Sequence, residues 1–417
     1  MGQPLKHLNV GHWGVSKFSP LEQQQKYTAL RGKPMLIQTR SSHPSALKKL
    51  TAFVSASMLT GILCQSSIAS PVLPEEEYDY VAYAEDNLPA HFIQGNNPTA
   101  PINQDNTPDN NPITNSGATL GRVLFYDVNL SVNNAVSCAS CHQQSQGFSD
   151  SAVLSTGFQG GLTGRHSMSL ANSRYYQNGH FFWDERADTL EAQVLMPIQD
   201  DVEMGMTLAD LVVKLSALDY YDSLFASAFG DSEVTAERIS SALAQFTRAM
   251  VSYQSRYDAA LQNNQPPRPG SNALTPDEQA GRAIFEGPAG GCARCHIGVA
   301  QVATVPHNIG LDLTTIDEGA GQGRFKVPSL RNIAVTAPYM HDGRFATLAE
   351  VINHYDTGIQ NHPDLDPLLR GPNGQPVRLN LTPQQRHQLE LFLNTLTDET
   401  FLNSELFSDP FTGGVDI

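Results

Sequence analysis

The sequence predicts a mainly α-helical protein built from two related domains, and three observations support this fold class. The pattern C-x-x-C-H occurs twice, at residues 138–142 and 292–296. Similar segments, GRVLF and GRAIF, precede the two copies at residues 121–125 and 281–285. A stretch rich in Pro and Asn, residues 263–272, separates the copies, and strand-like alternation is sparse along the chain. We therefore expect one helical domain around each copy, with the two domains facing each other across an interface.

Each C-x-x-C-H run is the attachment signature of a c-type haem, in which two thiols bind the vinyl groups and the His binds iron. The alternative is a zinc site made of two C-x-x-C pairs, but four thiolates would not need a His after both pairs. The motifs predict two covalent haems, one in each cytochrome c-like domain, and redox chemistry. The predicted attachment residues are Cys138, Cys141 and His142 in the first domain and Cys292, Cys295 and His296 in the second.

The first 70 residues have the features of an export signal. A basic pair precedes an apolar run at residues 50–63, and small residues near position 70 suit cleavage. A membrane anchor is the alternative, although the run is short for a span, and lipid attachment at Cys64 is a weaker one. Met35 is a more usual start, so we expect that residues 1–34 precede the true start. The sequence thus predicts an exported, periplasmic protein without a stable membrane span.

The charge of the chain is acidic, with 26 Lys and Arg against 42 Asp and Glu. The predicted leader holds mainly basic side chains, so its removal makes the remaining chain more acidic. This balance argues against binding of nucleic acid or of an anionic membrane. It permits a basic electron-donor protein as a partner, while acidity that serves solubility alone explains it equally well.

Helical signals lie on both sides of the separator. Apolar residues at helical spacing predict a helix within residues 235–253. Thr275 and Thr382 are each followed by Pro, which predicts two helix starts with Thr as the N-cap. The chain is then divided into a leader, an irregular arm over the surface, an N-terminal haem domain, a C-terminal haem domain and a tail: residues 1–70, 71–115, 116–262, 271–400 and 401–417.

Four further motifs occur in a fixed order with the two C-x-x-C-H runs. They are LGRVLFYD at residues 120–127, FWDERA at 182–187, VPSLRN at 327–332 and TAPY at 336–339. Together they resemble the bacterial di-haem cytochrome c peroxidase family, which includes the MauG-type enzymes, over residues 112–400. The resemblance implies a peroxidatic haem in the N-terminal domain and an electron-transfer haem in the C-terminal domain.

The resemblance makes His142 the proximal ligand of the first haem. In many family peroxidases a His just after Ser-Thr-Gly caps the other face of the iron. Here Ser155-Thr156-Gly157 is followed by Phe158, which implies an open, five-coordinate iron of the kind that peroxide needs. The alternative is that His166, which falls where the family has an Asn associated with calcium, binds this iron.

The family's distal Gln and Glu correspond to Gln193 and Glu203, and Pro197 follows four residues after the Gln. These two side chains are expected to help move a proton between the oxygens of peroxide. Glu203 stands between Val202 and Met204, which predicts a partly apolar pocket and a raised pKa. A surface position on a helix is the alternative for Gln193.

On the second haem, the resemblance makes His296 one ligand and places Tyr355 where ordinary family peroxidases have a Met. Helical spacing over residues 348–355 predicts that Tyr355 lies on a buried face, and His354 points about 100° away. A Tyr oxygen stabilises ferric and higher oxidation states, as in the MauG-type branch. A merely packed Tyr355 and ligation by His354 are the alternatives.

Trp183 corresponds to the family Trp between the haems, where it would carry an electron or a hole; core packing is the alternative. His341 corresponds to a family His near the second haem and is a candidate for tuning electron entry. Thr336 and Pro338 correspond to backbone contacts of an inter-haem calcium ion. His166 in place of Asn leaves that calcium site open to question.

These implications predict a periplasmic di-haem peroxidase that reduces hydrogen peroxide with electrons from a small cytochrome c or a copper protein. The first alternative is a MauG-type enzyme that uses peroxide-derived high-valent haems to oxidise Trp or Tyr side chains of a partner protein. The second is a non-enzymatic electron-transfer cytochrome, which would need both irons six-coordinate. The sequence shows no Gly-rich phosphate-binding loop.

Overall fold

The computed structural model describes residues 70–263 and 274–411, and within these ranges the regular structure is helical, with isolated bridges and no strand. The prediction of a mainly α-helical protein is confirmed. The export leader, Met35 and Cys64 lie outside the described residues, as do most of the separator and the last six residues. No helix in the described ranges has the length and apolar character that a membrane crossing requires.

The α-helices are short, and loops and 3₁₀ turns connect them. In chain order they are α1 (Ala90–Ile93), α2 (Asn115–Tyr126), α3 (Leu190–Gln193), α4 (Met196–Gln199), α5 (Leu208–Leu215), α6 (Tyr220–Phe229), α7 (Ala236–Ala249), α8 (Arg256–Asn263), α9 (Pro276–Glu286), α10 (Leu348–Asn353), α11 (Pro383–Asn394) and α12 (Glu399–Leu402).

The predicted helix starts are confirmed. Thr235, Thr275 and Thr382 are the N-caps of α7, α9 and α11, and each side chain accepts a hydrogen bond from a backbone N–H of the first turn. In α9 and α11 a reciprocal bond completes the cap, because Glu278 and Gln385 accept from the N–H of the capping Thr.

The internal repeat corresponds to the same helix pair formed twice. A Cβ on Gly121 of α2 would lie 2.0 Å from the carbonyl oxygen of Ala242 in α7, and one on Gly281 of α9 would lie 1.9 Å from that of Gln388 in α11. Only glycine permits such close helix contact. The Phe four residues later packs against the partner helix in both pairs, with ring centroids 5.4 Å apart for Phe125–Phe246 and 5.3 Å for Phe285–Phe392.

Two hydrophobic cores surround these helix pairs. The first holds α2, α6 and α7, and the second holds α9, α10 and α11. Each core leads into one C-x-x-C-H loop, since the 3₁₀ turns Cys138–Ser140 and Cys292–Arg294 follow α2 and α9. The described residues 70–411 belong to one compact unit, and the exact domain boundaries stay a prediction.

The arm and the tail both contribute aromatic side chains to the first core. Tyr80 and Phe92 of the arm are fully buried, as are Phe401 and Phe407 near the C-terminus. The Tyr80 hydroxyl donates to the carbonyl of Leu406 at 2.9 Å. The backbone of the arm is irregular as expected, but its large aromatic rings bury enough apolar surface to hold it on the core.

Candidate di-haem peroxide site

The first C-x-x-C-H loop presents His142 in the form that an iron ligand needs. Its Nδ1 donates to the carbonyl of Phe148 at 2.9 Å, which leaves Nε2 free for a metal. Burial lowers the pKa of His142, so the ring is neutral. The backbone turn is closed by a hydrogen bond of 3.0 Å from the His142 N–H to the carbonyl of Cys138.

The second loop has the same backbone turn, with the His296 N–H donating to the Cys292 carbonyl at 3.0 Å. Burial lowers the pKa of His296 to about 4, so this ring is also neutral. Its Nδ1 is buried beside the backbone of Gln301 but has no well-formed hydrogen bond within the described ranges. The His142 ring is therefore held by the Phe148 carbonyl, whereas the His296 ring has no equally well-placed carbonyl in the described ranges.

A large cavity lies against the second loop, with an empty volume of about 1890 Å³ that is partly open to solvent. Cys292, Cys295 and His296 form one part of its wall, and Tyr355 forms another. The rest of the lining is mainly apolar, as a porphyrin requires. The predicted face of α10 is confirmed, because its cavity-lining residues are Leu348, Val351 and Ile352, and Tyr355 follows one turn later.

Tyr355 is the predicted oxygen ligand of the second iron. It lies in a π-helical turn, His354–Gly358, that extends α10. Such turns recur at functional sites. Burial raises the pKa of Tyr355, and the two nearby cysteines add to the shift. His354 is directed elsewhere, since its Nε2 donates to the carbonyl of Ile309 at 3.1 Å. The geometry favours Tyr355 over His354 as the second ligand.

On the first haem, Glu203 lies near both attachment cysteines, as their electrostatic interactions show. Burial raises the pKa of Glu203, Asp200 adds to the rise and Arg186 opposes it. The predicted direction of this shift is confirmed. A carboxyl group with a raised pKa is suited to exchange protons with a substrate.

Phe158 pairs with the backbone of the turn that carries Glu203. Its backbone N–H donates to the carbonyl of Glu203 at 3.0 Å, and its ring covers Gly205 so closely that a Cβ there would lie 2.4 Å from a ring atom. A phenyl ring supplies no ligand atom. The position that holds a capping His in the resemblance therefore holds an apolar side chain packed against the turn that carries Glu203.

His166 is held by hydrogen bonds close to the residues that orient His142. Its Nε2 is 3.2 Å from the Ser149 hydroxyl, and its Nδ1 is 3.1 Å from the carbonyl of Ala152. Ser149 follows Phe148, whose carbonyl holds the proximal His142. Both nitrogens of His166 thus have partners within the fold, and the alternative that His166 binds the first iron stays a prediction.

Comparisons with known proteins agree with this geometry. A family profile described as di-haem cytochrome c peroxidase matches residues 115–266. The methylamine utilization protein MauG of Methylorubrum extorquens is 35% identical over 303 residues, which cover 70% of this chain and 81% of that protein. The chain belongs to the di-haem cytochrome c peroxidase family.

Two further relatives extend the match. The cytochrome c551 peroxidase of Nitrosomonas europaea is 34% identical over 277 residues, covering 63% of this chain and 78% of that protein. The crystal structure of a MauG-like protein associated with microbial copper homeostasis is 33% identical, with a TM-score of 0.67 and coverage of 78% of this chain and 99% of that one. This likeness supports two cytochrome c-like helical domains in an oxidoreductase that uses two haem c groups.

In this member of the di-haem cytochrome c peroxidase family, Trp183 and His341 both bind the backbone of His166. The indole Nε1 donates to the His166 carbonyl at 2.7 Å, and the His166 N–H donates to the His341 carbonyl at 2.8 Å. All three residues line the haem 2 cavity. The His341 ring stacks on Phe325, with centroids 3.7 Å apart. The roles of Trp183 and His341 in electron transfer stay predictions.

The structure gives positions for the remaining predicted site residues, and their roles stay predictions. Gln193 ends α3 and Pro197 lies in α4, and both are half-buried. Thr336 and Pro338 line the haem 2 cavity. The described ranges contain no cluster of three His, Cys, Asp or Glu side chains arranged to hold a metal ion, and the calcium site stays a prediction.

Sequence reasoning missed Lys326, which is 5% exposed and lines the same cavity. Its Nζ donates to the carbonyl of His180 at 2.7 Å and lies 3.4 Å from the centre of the Tyr176 ring. The sequence feature that could have indicated its burial is its position directly before the apolar residues that begin VPSLRN. A lysine this deeply buried is rare in a folded protein.

Proposed function

We propose that this protein reduces hydrogen peroxide to water at the N-terminal haem, with electrons supplied by a small redox protein. The observation that carries the proposal is the backbone pairing of Phe158 with Glu203: an apolar residue takes the position of a capping ligand, and it is hydrogen-bonded to a residue whose carboxyl group has a raised pKa. Peroxide reduction needs both an accessible iron and a group that relays a proton.

When bound, haem 1 supplies the iron at which peroxide binds and is reduced. Glu203, near both attachment cysteines and with a raised pKa, would take a proton from one peroxide oxygen and give it to the other, which would leave as water. Gln193 is assigned to orient the peroxide by hydrogen bonding. Two electrons and two protons per peroxide complete the reduction to two waters. His142 is kept neutral and oriented by the Phe148 carbonyl throughout.

A second candidate function is oxidation of Trp or Tyr side chains in a partner protein, as in MauG-type enzymes. Tyr355 favours it, because an anionic oxygen ligand stabilises oxidised rather than reduced iron. The MauG proteins among the relatives also favour it. In this case Trp183, on the cavity wall, would pass oxidising equivalents from the haems to a site at the protein surface.

An absorption experiment distinguishes the candidates. One equivalent of peroxide is added to the diferric protein, and spectra are recorded into the near infrared with and without a reduced small cytochrome c. Rapid, repeated oxidation of the donor supports the peroxidase. A long-lived oxidised state that the donor does not discharge supports partner oxidation. Absence of any reaction until one haem is pre-reduced would contradict the open site at Phe158.

We also propose that the protein acts in the periplasm, where c-type haems are attached. The proposal rests on the leader signals within residues 1–70. Cell fractionation of the full chain against a chain that begins at residue 71 provides the test. Equal haem loading of both forms in the cytoplasmic fraction would contradict it.

A further inference from the structure

A buried tyrosine beside the haem 2 cavity has a carboxylate as its hydrogen-bond partner. Tyr176 is fully buried, and its hydroxyl donates to the carboxylate of Glu185. Glu185 is half-buried, so it connects the phenol to solvent. Nothing in the proposed peroxide chemistry uses this pair.

Lys326 connects this pair to Trp183. Its Nζ lies 3.4 Å from the centre of the Tyr176 ring and 4.4 Å from that of Phe181. Its backbone N–H donates to the carbonyl of Trp183 at 2.9 Å. Tyr176 and Trp183 therefore contact the same lysine, which itself lines the haem 2 cavity.

Two comparisons within the chain set Tyr176 apart from ordinary core tyrosines. Glu185 has a φ of 57°, a left-handed conformation that non-glycine residues rarely adopt. The neighbouring Tyr175 is equally buried, yet its hydroxyl has no hydrogen-bond partner in the described ranges. Of these two adjacent tyrosines, only Tyr176 has a hydrogen-bond acceptor for its hydroxyl within the described ranges, and Glu185 supplies it from a left-handed backbone conformation.

The chemistry of phenol oxidation explains why such an acceptor matters. Loss of an electron makes a phenol strongly acidic, so a buried tyrosine is oxidised readily only if its proton has a place to go. The Nζ of Lys326, 3.4 Å from the ring centre, presents N–H dipoles to the ring and so disfavours a radical cation there. Removal of the electron from Tyr176 must therefore accompany transfer of its proton.

We propose that Tyr176 is a redox-active relay that gives an electron to oxidised Trp183 and its phenol proton to Glu185. The O–H bond of Tyr176 breaks, an O–H bond forms on the Glu185 carboxylate, and a neutral tyrosyl radical remains. An electron from a donor or from a substrate side chain, with return of the proton, restores the phenol. The proposal rests on the proposed function, because hydrogen peroxide is the oxidant.

The electrostatics are consistent with a relay that is protonated at rest. Burial raises the pKa of Tyr176, and the bond to Glu185 adds to the rise. The phenol therefore keeps its proton at neutral pH until it is oxidised. Burial lowers the pKa of Lys326, and the charge of Glu185 opposes that change.

Electron paramagnetic resonance of the haem-loaded protein tests the relay. The diferric protein receives one equivalent of peroxide without a donor, and samples with ordinary and ring-deuterated tyrosine are frozen at successive times. We expect a radical signal whose hyperfine structure changes with deuteration. We expect Tyr176→Phe to abolish it and Tyr175→Phe, the matched control, to keep it. Decay of the oxidised state should be slower in deuterated water for the wild type and for Tyr175→Phe, but not for Tyr176→Phe.

Glu185→Gln provides a second variant that leaves the tyrosine in place, with haem content and circular dichroism as the folding checks. It should delay the tyrosyl signal and reduce its yield, since an amide accepts the proton poorly. An unchanged tyrosyl signal in Tyr176→Phe, or a peroxide reaction that yields none in the wild type, overturns the relay but not the proposed function. No reaction of the wild type with peroxide overturns both.

Discussion

At the scale of single residues, the two attachment loops differ in the groups near them. Glu203, whose carboxyl group has a raised pKa, lies near the cysteines of the first loop, and the half-buried phenol of Tyr355 lines the cavity against the second. Proximal support also differs, because Phe148 accepts a hydrogen bond from His142 whereas Nδ1 of His296 lacks a well-formed one. These differences suit one haem to bind peroxide and the other to hold oxidising equivalents.

Glu203 should control the pH dependence of the peroxide reaction. It acts as a base only when deprotonated, and its pKa lies above the ordinary glutamate range, so the rate should rise as pH rises through that pKa. Glu203→Gln should lower the stopped-flow rate about 10²–10⁴-fold and remove this limb. Stability should not fall at neutral pH, because a carboxyl with a raised folded-state pKa disfavours folding above that pKa.

Asp201→Asn is the matched control for Glu203→Gln, since Asp201 is an exposed acid in the same turn. It should leave the rate and its pH profile unchanged. An equal loss of rate in both variants would show that Glu203 acts only through the net charge of the turn.

Tyr355→Phe should change the ferric spectrum of haem 2 and leave that of haem 1 unchanged. The substitution keeps the ring in the cavity wall but removes the oxygen, so an iron ligand is lost without a large packing change. Absorption and paramagnetic resonance of the diferric protein provide the measurement. His354→Gln is the control, and a spectrum that changes in it but not in Tyr355→Phe would contradict the assignment.

At the scale of elements, the fold repeats one helix pair. α2 with α7 and α9 with α11 approach at a glycine that precedes an Arg, and a Phe follows four residues later. Each pair leads into the loop that holds one His. Because the helices touch at this glycine, a side chain there would push them apart and move the loop that follows.

Gly121→Ala should destabilise the protein by about 1–3 kcal/mol, because the added methyl would overlap the Ala242 carbonyl and force α2 from α7. Thermal unfolding followed at the haem 1 absorption gives the measurement. Gly95→Ala is the control, since no atom lies within 4 Å of the added Cβ. Equal melting temperatures for the two variants would contradict the close packing.

At the scale of the whole molecule, segments distant in sequence hold the two domains together. Arg331 is fully buried and its Nη2 donates to Asp258 at 2.8 Å, while His91 of the arm lies 2.9 Å from the same carboxylate. Arg331 also donates to the Val299 carbonyl at 2.6 Å, near the second attachment loop. Arm, α8 and the C-terminal domain thus share one buried charge pair.

Phe407→Ala should destabilise the first core by about 3–5 kcal/mol, although this residue lies more than 250 positions after the first attachment loop. Haem 1 should then lose its native spectrum at a lower temperature than haem 2. Leu313→Ala, at a side chain that is 61% exposed, should change stability by less than about 0.5 kcal/mol. Simultaneous loss of both haem spectra at an unchanged temperature would contradict this role of the tail.

Local sequence determined the features that depend on short spacing. The C-x-x-C-H runs place two thiols and a ring on one turn, the Thr-Pro pairs begin helices, and the spacing over residues 348–355 brings Tyr355 to the cavity. Each of these follows from interactions within one or two turns of chain.

Only the tertiary structure decided which distant groups meet. Tyr80 and Phe407 share one core, Phe158 packs on Gly205, and Lys326 lies over Tyr176. No local pattern encodes these contacts, because they depend on how the elements pack after each has formed. The placement of His166 close to the residues that orient His142 has the same origin, since a hydrogen bond to Ser149 positions its ring. Packing therefore decides which buried polar groups become partners.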